Sequence, residues 1–187
     1  MRICLATLES ITPYSQSRAF QSEPNEKESK AKFEERCWRE KAHANEAGEI
    51  FIPAMSLKYA VDEACKRLGL QIPGQGKTRY TKYFEAGQYC MEGPPIGIKV
   101  ADVPGEWVYC NADGKRGSGT RVMRCFPVIA QWKATAKFAV LDEKIPEDVF
   151  EQCLRESGLY VGIGRFRPQN QGFYGRFKLV EAKWSSQ

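Results

Sequence analysis

The chain is poor in histidine and has no Cys-x-x-Cys pair. His43 is the single histidine, and the seven cysteines are odd in number and widely spaced. With one histidine, a Ser-His-Asp or Cys-His arrangement would have to be built on His43, and no local motif surrounds a nucleophile. The cysteine pattern argues against a disulfide framework and a cysteine-based zinc site. Free cysteines at apolar positions behave as small hydrophobes, and a reducing cytoplasm is the expected compartment. No run approaches the ~20 apolar residues of a membrane span, so no membrane partner is expected. The apolar part of Met1 to Glu9 is too short for a signal peptide and reads as a first strand. No carboxylate pair shows metal-ligand spacing, so neither a metal nor a cofactor is expected. No internal repeat occurs at a fixed period.

Acid is missing from three windows that carry bases: residues 64–84, 114–141 and 157–180. The net charge of +5 is modest, so its placement says more than its size. If the windows meet on one face, that face attracts phosphates. Hydrophobic residues at 42% and charged residues at 27% describe a globular chain, and 187 residues suit a single domain, 1–187, with insertions.

Residues 2–10 alternate and predict a strand. Residues 12–48 read as a loop and helix insertion, the helix running over 30–46 until Gly48. The stretch from Ser56 to Gly69 predicts an amphipathic helix: Leu57, Ala60, Val61, Ala64, Cys65 and Leu68 recur at i, i+3, i+4, i+7, i+8 and i+11. Ser56 suits its N-cap and Gly69 its C-terminal stop. Residues 70–95 read as a second insertion. Within it, Gly74-Gln75-Gly76-Lys77-Thr78 fails as a phosphate loop, because the required earlier glycine is Gln71. Residues 106–126 predict a protruding β-hairpin with a basic, glycine-rich tip. Ala130 to Leu141 alternates as a strand. Pro146 opens a helix with Val149, Phe150, Cys153 and Leu154 as its stripe, and Gly158 closes it. Phe177 to Trp184 is the last strand. Stripped of insertions, the order is βαββαβ, an α+β, ferredoxin-like or RRM-like sandwich.

The stretch from Gly162 to Phe177 combines four glycines with Arg165, Arg167 and Arg176, and with Phe166, Phe173 and Tyr174, and has no acid. Glycine permits close backbone approach, arginine offers a fork of donors for phosphate, and aromatic faces stack on bases. A surface turn that happens to carry arginines fits the same residues.

Three stretches together resemble the RAMP superfamily, the RRM-like proteins of CRISPR–Cas effector complexes. Ile52-Pro53-Ala54-Met55-Ser56-Leu57-Lys58-Tyr59-Ala60-Val61 is similar to that family's I-P-G-S-S-L-K-G-A-L/I-R helix opening. Gly162 to Phe177 resembles its C-terminal glycine-rich loop. The hairpin stands where guide-coating backbone subunits carry a thumb. Ala54 and Met55 replace small family residues, and Tyr59 replaces a glycine, where its bulk would limit backbone approach. The resemblance implies binding of single-stranded guide RNA, with partners in copies of the chain itself and in other CRISPR complex subunits. It places Ser56 and Lys58 on phosphates at a helix N-terminus. It places Gly164, Arg165, Phe166, Arg167, Tyr174 and Arg176 along the RNA path, and Lys115, Arg116, Arg121 and Arg124 on a hairpin that wedges between bases or reaches a neighbour.

Relatives that process guide RNA often use a histidine as general base, which His43 would have to supply. Some target-cleaving relatives use an aspartate after the first strand, where residues 10–30 hold Glu23, Glu26 and Glu28 but no aspartate. The expectation is a non-catalytic, self-assembling RNA-binding protein. A protein-interaction module, acting as inhibitor or capping subunit of a CRISPR complex, and a guide-processing nuclease remain as alternatives.

Overall fold

The computed structural model describes residues 1–112 and 119–186. Lys115 and Arg116 lie outside the described residues. In chain order the elements are β1 (Arg2–Ser10), β2 (Tyr14–Ser15), α1 (Lys30–Cys37), β3 (Glu49–Phe51), α2 (Ala54–Leu68), α3 (Thr81–Gly87), β4 (Gln88–Cys90), β5 (Pro95–Lys99), β6 (Gly105–Asn111), β7 (Arg121–Ile129), β8 (Lys133–Val140), α4 (Glu147–Glu156) and β9 (Phe177–Ser186). The chain is α+β with antiparallel sheets. Among the described residues no helix is long and apolar enough to cross a membrane.

Strand β1 alternates as its sequence predicts: Cys4, Ala6 and Leu8 are buried while Leu5 is exposed. Antiparallel β8 sets Phe138, Ala136 and Ala134 opposite those three residues. β9 flanks the other side of β1, and β4 pairs with β8, so the sheet order is β4-β8-β1-β9. Against β9 the register shifts after Thr7: Thr7 faces Glu181 but Leu8 faces Leu179. Val180 is the extra residue of this bulge. It allows Phe177 and Leu179 at one end, and Ala182 and Trp184 at the other, all to reach the core.

Helix α2 buries Leu57, Ala60, Val61, Ala64 and Cys65, the predicted stripe, and ends at Gly69 with φ of 61°. Full burial of one such leucine is worth about 1.5–3 kcal/mol. The helix starts earlier than expected. Pro53 occupies the N-cap, and its carbonyl accepts from the N–H groups of Ser56 (2.9 Å) and Leu57 (3.4 Å). Ser56 is therefore inside the first turn and caps nothing. Helix α4 packs beside α2, and its Phe150 ring lies 5.4 Å from Phe138 of β8, 5.5 Å from Trp184 of β9 and 6.3 Å from Phe84 of α3.

Three expectations need correction. The helix predicted over 30–46 stops at Cys37 and tightens into a 3₁₀ turn, Trp38–Lys41, which turns Lys41 inward to the carboxylate of Glu34. The stretch 70–95 is not wholly an insertion, because its β4 is an edge strand of the main sheet. Gly158 does not close α4, since the chain coils on in a π-type turn, Ser157–Val161. There a Cβ on Gly158 would stand 2.1 Å from the carbonyl oxygen of Phe177, so glycine is required for packing. Gly162, with φ of 70°, makes the stop.

The expected hairpin exists as β6 and β7, paired from Gly105↔Pro127 to Asn111↔Arg121. β2 joins the edge of β7, and β3 with β5 forms a separate two-stranded ribbon. Gln16 ties the ribbon to this side. It donates to Tyr14 Oη and to the Phe51 carbonyl, both at 2.9 Å, and accepts from the His43 N–H at 2.7 Å.

Candidate nucleic-acid interface

The glycine-rich stretch folds back on itself and lies along the segment after β1. Ile163 N–H donates to Gly175 O at 3.0 Å, and Tyr174 N–H to Phe166 O at 3.0 Å. Arg165 N–H donates to Ser15 O at 2.8 Å and Gly175 N–H to Pro13 O at 2.7 Å. Two glycines show why the sequence needs them. Gly164 has φ of 75°, and its Cβ would come within 2.3 Å of Ser15 O. A Cβ on Gly172 would lie 1.7 Å from Phe166 O. Phe166 itself adopts φ of 50°, an unusual state for a bulky residue.

The start of α2 meets this loop. Met55, Ser56, Tyr59, Gly162, Ile163, Gly164 and Arg167 surround one open pocket of about 320 Å3. Two stretches far apart in sequence, residues 55–59 and 162–167, thus share one surface. Arg167 stacks 5.1 Å from the Tyr59 ring and donates from Nε to Gln169 Oε1 at 3.3 Å. Gln169 donates in turn to Glu63 Oε2 at 2.9 Å. On the next turn Arg67 lies 4.6 Å over Tyr160, so the windows 64–84 and 157–180 do adjoin.

The remaining predicted site residues divide into engaged and open groups. Lys58 bonds the Asp62 carboxylate and donates to Glu85 O at 3.0 Å. Arg176 donates to the carbonyls of Leu159 and Phe173 at 3.2 and 3.4 Å. Arg124 pairs with Glu34 at 2.9 Å. Arg165 is enclosed, with its side chain 8% exposed. Its guanidinium lies 3.8 Å over Phe126, 4.4 Å over Phe166 and 5.7 Å from Tyr174. Its Nε donates to Ser15 Oγ at 3.2 Å, its Nη2 is 3.7 Å from Glu106 Oε2, and Nη2 has no hydrogen-bond acceptor among the described residues. Tyr174 donates its hydroxyl to the same Glu106 oxygen at 2.5 Å, and burial together with that bond raises its pKa. Arg121, Phe166 and Phe173 are exposed.

Sequence reasoning missed Glu106, Phe126, Glu34 and Lys41. Glu106, an acid on an otherwise apolar and aromatic strand, was the one local signal. His43 sits partly buried, its ring 6.0 Å from that of Phe51. Burial, aided by the Arg18 charge, lowers its pKa and favours the neutral imidazole.

No family model matches the sequence, and no curated protein matches it. Among solved structures, a chain titled "CRISPR RNA-guided surveillance complex" is similar at 11% identity and a TM-score of 0.36. The match covers 84% of this chain and 58% of that one. Likeness at that level does not establish a shared fold.

Proposed function

We propose that the chain is a non-catalytic, single-stranded RNA-binding protein that grips the phosphate backbone and assembles along the strand with copies of itself. The observation that carries this reading is the pocket where the α2 N-terminus faces Gly162, Gly164 and Arg167. The Ser56 and Leu57 amides are taken by Pro53 O, which leaves those of Ala54 and Met55 without an intrahelical acceptor. Free amides and the positive end of the helix dipole suit an anion, and Arg167 adds a full charge. The exposed rings of Phe166 and Phe173 offer faces to bases.

The RAMP-like reading belongs to this proposal. Its support is the sheet order: the first strand is central, the second lies at one edge and the last at the other, with α2 after β1 and α4 after β8. That is the arrangement expected of a ferredoxin-like βαββαβ unit. Guide RNA and other subunits of a CRISPR complex are the partners this reading implies.

One observation favours a second reading. On one face of the hairpin, Trp107 is 44% exposed and Tyr109 68%, with Met123 beside them. Aromatic and methionine side chains are enriched at protein interfaces, so an inhibitor or capping subunit would bind its partner there. Size-exclusion chromatography with light scattering and absorbance at 260 and 280 nm separates the two, using protein purified without nuclease. Co-eluting RNA in a large particle supports the strand-coating protein. A nucleic-acid-free monomer or dimer that captures a protein partner replaces it with the second reading.

A further inference from the structure

A cleft of about 360 Å3 lies on the other face of the hairpin, lined by Arg18, Phe20, Lys30, Lys41, Arg124 and Phe126 among others, with no acid among the described residues of its lining. Its volume falls within the roughly 300–1,000 Å3 of small-ligand sites. The carboxylate that neutralises its cations, among the described residues, is Glu34. It is 1% exposed, bonds Lys41 and Arg124, and accepts from the Cys125 N–H at 2.9 Å. Four cations against this one carboxylate leave a surplus of three positive charges (4 − 1).

The cations differ in role. Lys41 is buried, donates to Cys125 O at 2.8 Å, and lies 4.1 Å from the Phe126 ring and 5.0 Å from that of Phe20, so it forms the floor. Arg124 is held by Glu34. The Arg18 N–H donates to Lys41 O at 2.9 Å, but the side chains of Arg18 and Lys30 have no hydrogen-bond or ion-pair partner among the described residues. Two uncommitted cations thus stand over an apolar wall of Ala19, Phe20 and Phe33. Phe126 adjoins the glycine-rich loop, since Arg165 covers it.

We infer that this cleft takes one nucleotide of a bound single strand, its phosphate between Arg18 and Lys30 and its base against Phe20. The inference rests on the nucleic-acid reading above. An acidic peptide would satisfy the two cations but leave the ring wall uncovered. A nucleotide places a flat apolar surface beside its own negative charge, which is what the cleft presents. The Phe20 ring is braced edge-on by Phe33 at 4.9 Å, so it is a fixed surface for a base. Base–aromatic stacking and backbone charge act together in such sites.

The test measures anisotropy of a fluorescein-labelled dodecauridylate bound to the full chain. The double variant Arg18→Ser/Lys30→Gln is compared with Lys133→Gln/Lys144→Gln, which removes the same charge away from the cleft. The cleft variant is expected to bind about tenfold more weakly than the control, as loss of charge-assisted contacts to one phosphate implies. Its slope of log affinity against log salt should be shallower by about 0.7. With 4-thiouridine in the oligomer, wild type should crosslink within residues 18–20. Equal losses in both double variants, crosslinks confined elsewhere, or displacement of the oligomer by polyglutamate as readily as by unlabelled oligomer would each overturn the assignment. If wild type binds and only Arg167→Ala weakens binding, the cleft assignment falls and the backbone-binding proposal stands. If wild type does not bind the oligomer at all, both fall.

Discussion

Arg165→Ala and Arg167→Ala should behave as opposites, although the two residues are two positions apart in the chain and equal in charge. Arg165 is a post: its guanidinium contacts three rings and bonds Ser15 Oγ from a site with 8% exposure. Desolvated cation–π contacts are worth up to about 2 kcal/mol, and a hydrogen bond about 1 kcal/mol. Removing the stem also leaves a void under Phe126. Against this, truncation abolishes the buried Nη2 that has no acceptor among the described residues, which returns about 1–3 kcal/mol. These terms leave about 0–2 kcal/mol, and the void brings the destabilisation to about 2 kcal/mol. For a domain of this size, that lowers Tm by roughly 4–8 °C. Arg167 is half-buried against Tyr59, and its loss should cost no more than about 0.5 kcal/mol in stability. Its loss should weaken RNA binding instead, with a shallower salt dependence. Paired thermal melts and anisotropy titrations read both quantities. If Arg165→Ala melts with wild type while losing affinity, the enclosed cage is a binding surface and the structural argument is wrong.

Glu34→Gln removes the charge that two cations and the Cys125 amide share, leaving Lys41 buried without a counter-charge, at a cost of about 3 kcal/mol by thermal or urea unfolding. Burial alone would raise the Glu34 pKa, but bonds from Lys41, Arg124 and the Cys125 amide outweigh it and hold it below 4.5. The folded value lies below the unfolded one, so this stabilisation is complete above about pH 4.5 and is lost as pH falls through the depressed value. Wild type should therefore lose stability on acidification more steeply than Glu34→Gln. Gly172→Ala would drive a methyl into Phe166 O, so the loop must rearrange and RNA binding should drop. Gly119→Ala, with none of the described residues within 4 Å of its Cβ, should leave both stability and binding unchanged in the same assays.

What was legible in the sequence is what repeats locally. The alternation of Cys4, Ala6 and Leu8, and of Ala134, Ala136 and Phe138, identified the central strands because one face of each is buried. The stripe on α2 and its glycine stop were equally plain. β4 was not legible because its three residues are too few to show a period. Ser56 lost the cap because a proline just upstream already fixes the boundary and offers its carbonyl. The glycine-rich loop was visible as composition, but the division of labour among its arginines was not. Whether an arginine faces solvent or a ring depends on Phe126 and Glu106, about 40 and 60 positions away in the chain. The encounter of that loop with α2 is likewise a tertiary fact.

The extra residue in β9 works as a phase shifter between two ends of the molecule. On the N-terminal side of Val180, odd-numbered positions face inward, and Phe177 anchors the exit of the glycine-rich loop; beyond it, even-numbered positions face inward, and Trp184 packs on α4. The loop and the helix are therefore tuned separately, each by its own half of one strand. Deleting Val180 would remove the bulge and leave Phe177, Leu179, Ala182 and Trp184 alternating inward along one regular strand, so both halves would keep their faces. Paired without the bulge, the native sequence would instead turn the inward residues of one half to solvent, so the bulge is what lets this strand serve both ends.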